Sequence, residues 1–385
     1  MHALLAAIHR NLLVARERLC LLREGGPRVA YAGGQGWRNL GDDVLFEAAQ
    51  RVLGGVRLVS FRYPRQEERF ARLGLSGRSY FQLFILGGGT FINPYGLGTV
   101  RAALRQGLPA WTLGTGVGSA GFNMSRRPEL AEWRALLRDF HAVGVRGPCS
   151  KALLEDLGVS QAEVIGDLAL VLAREAPMRP LEPRRFAVNL VLPPRQEREG
   201  FSYERLEGLE RAIRHFMDQE WEPLFVAMHE HDVESLHRLK TAVGRAEDPT
   251  HSPRTAEEYM ELVGPCTLTL ATRLHAAVLS CCAGTPALSL GYREKCLDFM
   301  SSLGLEAWHV DLSVPEEDIF ERAVALAEVA DHLRAPILAR AQARKRRLHA
   351  YARSLLASAS GCEFLEVGGR SAEEARHDSW DRTGT

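Results

Sequence analysis

Thr272-Arg273-Leu274-His275 carries the sharpest chemical signal in the sequence. It follows the apolar run 268–270 and opens a helical pattern over 273–282, with Thr272 as the expected N-cap. Arg273 then falls in the first turn, with His275 two residues further on. A cation at that end opposes the helix dipole unless an anion is bound nearby, so the pair predicts an anionic ligand. The bland reading is a solvent-facing arginine beside a packed histidine. Imidazole titrates near neutral pH, which suits His275 to general acid and base work. Lys295 begins another helical stretch and is one of only four lysines, the other 44 of the 48 basic residues being arginines. Arg146 ends a short strand before Gly147-Pro148 and Ser150, the expected cap of the next helix. It could reach a cleft between domains or lie on the surface.

Several further motifs have two readings. Gly33 to Asp43 is a glycine-rich turn running into a helix, a place where backbone N–H groups meet anions. It matches neither the P-loop nor the dinucleotide fingerprint, because no Gly-Lys-Ser/Thr ends it and Asn39 stands where a third glycine belongs. Asp42 acting as a simple helix cap is the alternative. Gly87-Gly88-Gly89 and Gly114-Thr115-Gly116-Val117-Gly118 follow apolar runs, so something approaches that backbone closely, a ligand or a crossing element. His229-Glu230-His231-Asp232 resembles a metal motif but lacks further ligands at a usual spacing, so no metal is expected. Cys281-Cys282 reads as core rather than nucleophile, and no Gly-x-Ser-x-Gly elbow occurs.

These residues need elements to hold them. Strand candidates at 28–31, 80–86, 110–113 and 142–145 alternate with helices, and most end in glycine turns. That pattern is a parallel sheet covered on both faces, with ligands at the carboxyl ends of the strands. Three prolines, Pro177, Pro180 and Pro183, make a stiff linker. A second alternating half follows, with strands at 186–192, 224–228, 268–270 and 287–290, and 249–253 reads as loop. The expected domains are 1–175 and 186–335, then a basic helix at 336–360 and a flexible tail at 361–385. Residues 1–24 repeat apolar positions at helical spacing (Leu4, Leu5, Ile8, Leu12, Leu13, Leu19, Leu22).

The chain has 385 residues, with 48 acidic and 48 basic side chains, and this neutrality argues against a nucleic-acid coat. Seven scattered cysteines make no disulfide framework, and no stretch is long and apolar enough for a spanning helix or a secretory signal. A cytoplasmic setting is expected. Residues 334–353 carry seven basic side chains and no acid, which reads as a solvated surface helix and leaves room for contact with a partner or the inner membrane face.

Taken in order, Asn39-Leu40-Gly41-Asp42-Asp43, Leu86 to Gly89, Gly114 to Gly118, Val145-Arg146 with Ser150, Gly166-Asp167, Thr272 to His275, Gly284-Thr285-Pro286 and Tyr292-x-x-Lys295 resemble the polysaccharide pyruvyl transferase family. The chain departs from the family pattern at Gly147-Pro148. The resemblance implies an α/β fold of two Rossmann-like domains in the glycosyltransferase-B manner, with a cleft between them and a helical C-terminal segment. It implies transfer of pyruvate from phosphoenolpyruvate to a saccharide or lipid-linked glycan as a ketal, with no cofactor or metal. His275 and Arg273 are then the expected catalytic residues. Arg146, Lys295, Asn39, Asp42, Gly88, Gly89, Gly116 and Asp167 are the expected substrate contacts. The N-terminal domain would hold the acceptor and the C-terminal domain phosphoenolpyruvate. A nucleotide-sugar glycosyltransferase of the same architecture and a non-catalytic glycan-binding relative are the competing readings. Acceptor identity, ketal stereochemistry and oligomeric state are not legible in the residues.

Overall fold

A computed structural model describes residues 2–34, 39–61, 63–120, 123–124, 127–192, 206–291, 294–312 and 315–359. Residues 35–38 of the first glycine loop, Tyr292 and the tail 361–385 therefore lie outside the described residues.

The N-terminal half runs α1 (His2–Glu24), β1 (Arg28–Ala32), α2 (Leu40–Leu53), β2 (Arg57–Ser60), α3 (Pro64–Arg72), β3 (Leu83–Leu86), β4 (Gly89–Ile92), α4 (Pro94–Arg105), β5 (Ala110–Val117), β6 (Ser119–Ala120), β7 (Asn123–Met124), α5 (Arg127–Leu137), β8 (Phe140–Val145), α6 (Pro148–Asp156) and β9 (Ala162–Val164). A 3-10 turn, Leu168–Leu172, closes it. Its parallel sheet has the order β2-β1-β3-β5-β8-β9, with β4 beside β5. The second half runs β10 (Arg185–Asn189), α7 (Glu207–Asp218), β11 (Glu222–Val226), α8 (Glu230–Ala242), β12 (Thr250–His251), α9 (Ala256–Val263), β13 (Leu268–Ala271), α10 (Leu274–Ala283), β14 (Ala287–Gly291), α11 (Glu294–Ser302), β15 (His309–Asp311) and α12 (Glu316–Ala359). Its parallel sheet has the order β12-β11-β10-β13-β14-β15, the doubly wound arrangement of a dinucleotide fold. The order reverses between β10 and β13 in this sheet and between β1 and β3 in the other. Ligands of such sheets sit at those two points.

Parallel strands are buried on both faces, so they read as near-continuous apolar runs. All eight positions of β5 are buried, and the strand runs on through Gly114, Thr115 and Gly116 to Val117. That second glycine segment is therefore strand rather than the loop expected after residue 113. The expected strand over 80–86 starts only at Leu83, because Tyr80 and Phe81 donate their N–H groups back to Gly77 in a turn. The short strands β2, β12 and β15 were not expected. Each has four residues or fewer, too few to show a periodicity.

One apolar cluster passes through both halves. It joins Leu45, Ala48 and Ala49 of α2, Leu168 to Ala173, Ala276, Ala277 and Cys281 of α10, and Ile337, Leu348 and Tyr351 of α12. Cys281 and Cys282 are buried in it, as expected of core cysteines. Helix α12 is one continuous 44-residue element with Pro336 inside it, so the boundary drawn at 335/336 falls within a helix. It packs on α7, α2, α10 and the turn Leu168–Leu172, and so straps the halves together. The Tyr351 hydroxyl donates to the Thr112 carbonyl of β5 at 2.9 Å.

Five of the seven basic side chains of 334–353 bind other parts of the protein, although Arg340 and Arg347 among them stay exposed. Arg334, 5% exposed, donates to the carbonyls of Cys266, Met178 and Gly264. Arg340 reaches Leu303 and Gly304, Arg344 reaches Ser302, Lys345 reaches Ala173 and Glu175, and Arg347 pairs with Glu163. No helix among the described residues is long and apolar enough to cross a membrane.

Candidate active site

The carboxyl ends of β5 and β8 meet the amino ends of α10 and α11. Arg146 follows β8 directly and is 1% exposed. Its Nε donates to Asp298 Oδ2 of α11 at 3.3 Å and its Nη2 to Thr90 Oγ1 at 3.4 Å, while Nη1 has no protein partner. Asp298 also accepts from the Ser150 N–H (3.0 Å) and hydroxyl (2.7 Å), so one carboxylate of the second half grips two residues of the first. Gly147, not Ser150, caps α6, and Ser150 lies inside its first turn. A Cβ on Gly116 would lie 2.1 Å from Arg146 Nη2, so only glycine lets the guanidinium pass β5.

Arg273, not Thr272, is the N-cap of α10, because the Thr272 hydroxyl is held by the Val191 N–H at 2.7 Å. Asp232, fully buried, takes the Arg273 guanidinium through Nε at 2.8 and 2.7 Å. Asp232 also accepts from the Met228 N–H (2.9 Å), and Asn189 Oδ1 accepts from the Arg273 N–H (3.2 Å). The anion that Arg273 needed is thus a side chain of the protein. This pairing, like the Arg146–Asp298 pair, leaves the cleft less cationic than the sequence suggested.

His275 stands in the first turn of α10, 11% exposed, with Nε2 unpartnered and 4.0 Å from Asp167 Oδ2. Burial first, then Lys295, Arg146 and Arg273, push its pKa down to about 3, so the ring is neutral near pH 7. A Cβ on Gly41 of α2 would lie 2.2 Å from His275 Nδ1, so this glycine admits the ring at the domain boundary. Asp167 is fully buried, with Oδ1 capping the Leu168–Leu172 turn and Oδ2 unpartnered. Burial pushes its carboxyl up, against the opposing pull of Arg146 and Lys295. Lys295 is half-buried in the first turn of α11 and acts electrostatically on Asp167, His275 and Asp42.

Arg146, Asp167, His275 and Lys295 therefore converge, with Arg273 beside them. Asn39 caps α2 through the Gly41 N–H and donates to Asp42 Oδ2 at 2.8 Å. Burial raises the Asp42 pKa, with Lys295 pulling the other way. Gly88 and Gly89 are pressed by Leu45, Leu168 and Phe91, so the close approach expected at this run comes from protein side chains. A cleft of about 660 Å³ adjoins the site, lined by Leu40, Asp43, Met228, His229, Val233 and Arg254 among others. The Leu40 N–H donates to the Met228 carbonyl across the domain boundary at 3.2 Å.

His229, Glu230 and His231 offer ligand atoms within 4.8 Å of one another. His229 Nδ1, however, accepts the His231 N–H at 3.1 Å as the cap of α8. In a neutral ring that leaves the proton on Nε2, and a cation at this end would oppose the helix dipole. Asp298 is a site residue that sequence reasoning missed, and Asp232 was met only as the end of the metal-like run His229-Glu230-His231-Asp232. The i,i+3 spacing of Lys295 and Asp298 on one helix face was the available signal for Asp298.

Two doubly wound sheets with polar groups gathered at the carboxyl ends of their strands define a glycosyltransferase-B architecture, and solved structures agree. A UDP co-structure of S. aureus MnaA superposes with TM-score 0.57 at 10% identity, over 81% of this chain and 90% of that one. A putative UDP-N-acetylglucosamine 2-epimerase from Listeria monocytogenes gives 0.55 at 12% identity, over 89% and 98%. The spinosyn rhamnosyltransferase SpnG gives 0.50 at 11% identity, over 87% and 100%. At these identities the likeness is one of fold. The sequence pattern of the polysaccharide pyruvyl transferases matches residues 39–294, from the cap of α2 to the start of α11. The chain belongs to the polysaccharide pyruvyl transferase family and is a transferase.

Proposed function

We propose that the protein transfers pyruvate from phosphoenolpyruvate to two hydroxyls of a saccharide, free or lipid-linked, as a cyclic ketal. One observation carries this reading within the family: Arg146 Nη1, Asp167 Oδ2 and His275 Nε2 are all buried and unpartnered around one point. A buried polar atom left unpaired costs about 1–3 kcal/mol, so the cluster is suited to a ligand with several polar groups. Helix α10 has no acid in its first turn, and its first N–H groups lack carbonyl partners within the helix. Arg146, Lys295 and this helix end suit the phosphate and carboxylate of phosphoenolpyruvate. Arg273, already paired with Asp232, shapes the wall and contributes charge at a distance.

The reaction adds a proton to the methylene carbon, making the adjacent carbon oxocarbenium-like. One hydroxyl attacks that carbon, the phosphate oxygen leaves, and a second hydroxyl closes the ketal. Of the two hydroxyl protons, one ends on the new methyl group and the other on phosphate. Neutral His275 accepts the proton of an attacking hydroxyl and returns it as imidazolium. Asp167, 4.0 Å from Nε2, steadies that charged state. Neutral Asn39 and the carboxyl of Asp42 border the acceptor side.

Phosphate release with phosphoenolpyruvate and a panel of saccharides tests this. We expect turnover that falls about 10²–10⁴-fold in His275→Gln with folding unchanged. Full activity in that variant overturns the role of His275. Calorimetric binding of a nucleotide sugar with none of phosphoenolpyruvate would instead make the protein a glycosyltransferase. Binding without turnover on any acceptor would make it a glycan-binding relative.

A further inference from the structure

Helix α1 holds a leucine-rich face away from the protein. Leu12, Leu13, Leu19 and Leu22 are 63%, 51%, 48% and 38% exposed. The opposite face sends Val14, Leu21 and Arg18 into the N-terminal core. Arg18, 1% exposed, is gripped by Glu67 at 2.7 and 2.9 Å and by the carbonyls of Leu75 and Ser60. That buried pair fixes which side of α1 faces out.

At about 100° per residue, Leu12, Leu13, Arg16, Leu19 and Arg23 fall in one sector about 120° wide. Arg16 and Arg23 are both exposed. Of the nearby acids, Glu24 is paired with Arg57 at 2.9 Å, and Glu17 stands at the rim of the sector. Helix α3, which supplies Glu67, carries exposed Arg65, Arg69 and Arg72 on its other side, with Leu73 69% exposed just after it. Its Glu68 is paired with Arg105 at 2.8 Å.

Leucines clustered on an exposed face signal an interaction surface. A second copy packed there would bring arginines from both chains into a desolvated seam, which like charges oppose. An anionic lipid surface accepts both parts of the face, with leucines at the acyl boundary and guanidiniums at the phosphates. We propose that α1 docks the protein on an anionic membrane surface. This does not depend on the reaction proposed above. Helix α12, the other basic segment, has five of its cations bound to the protein, which leaves Arg346 and Arg353 exposed without such partners among its basic run 334–353.

Vesicle flotation of the full chain tests the docking. The chain should float with phosphatidylcholine vesicles containing about 30% phosphatidylglycerol and be released by high salt, with little binding to neutral vesicles. L12E/L19E should bind at least about tenfold more weakly, while R346E/R353E binds as the parent does. R16Q/R23Q, which leaves the leucines in place, should lose the salt-sensitive part and guards against misfolding of the charge-bearing variant. Absence of binding by the parent, or undiminished binding by L12E/L19E, overturns the proposal. So does a parent dimer that L12E/L19E converts to monomer without any vesicle binding, which would make a second copy the occupant.

Discussion

His275 combines a buried ring with three cations as neighbours, and burial first, then the cations, hold it in the neutral form. A bound dianion would offset those cations but not the burial that lowers the pKa most, so phosphoenolpyruvate binding near pH 7 should take up no proton at His275. Calorimetry in buffers of different ionisation enthalpy measures this, and the parent and His275→Gln should give the same proton count. The same shift affects stability. The folded pKa, about 3, lies below the unfolded value of 6.5, so the stabilising contribution is present above 6.5 and is lost as pH falls toward 3. Between pH 6 and 4, His275→Gln should therefore lose less thermal stability than the parent, and melting curves across that range would show it. Asp167, with its carboxyl pushed up, titrates in the opposite sense, which is why the comparison uses the histidine variant alone.

At the scale of elements, two carboxylates of the second half determine where the arginines point. Asp298→Ala strands Arg146 without its buried counterion, and Asp232→Ala does the same to Arg273. Removing one partner of a buried pair costs about 3–5 kcal/mol, so both variants should unfold at clearly lower denaturant concentrations. Gly116→Ala puts a methyl group into the Arg146 guanidinium, and it should weaken phosphoenolpyruvate binding more than it lowers the melting temperature. Arg273 and His275 were legible because a cation at a helix start conflicts with the dipole. Their partners were not. Asp232 and Asp298 lie 41 and 152 residues from the arginines they hold, and no local spacing encodes such a distance. The glycine runs were legible as places of close approach, but sequence could not say whether a ligand or Leu45 and Leu168 would fill them.

For the whole molecule, the alternation of strand and helix was enough to expect two parallel sheets, since buried strands and glycine turns leave local marks. What it hid was the role of α12, whose basic composition resembled a solvated or membrane-facing helix until its carbonyl partners became visible. Arg334→Met should cost about 3 kcal/mol, because Arg334 serves three buried carbonyls at once, and urea titration would measure it. The strap also affects synthesis. Tyr351 and its neighbours complete a core that includes Tyr31 and Trp111 of the first sheet, yet they are made some 240 residues after Trp111, as the 239-residue separation of Tyr351 from Thr112 illustrates. A chain still on the ribosome therefore holds a first half whose apolar underside is unfinished, and contacts of such long sequence separation slow folding. The N-terminal half is the first to emerge and among the last to be sealed, so a chain cut short before α12 should be a client of chaperones rather than a smaller working enzyme.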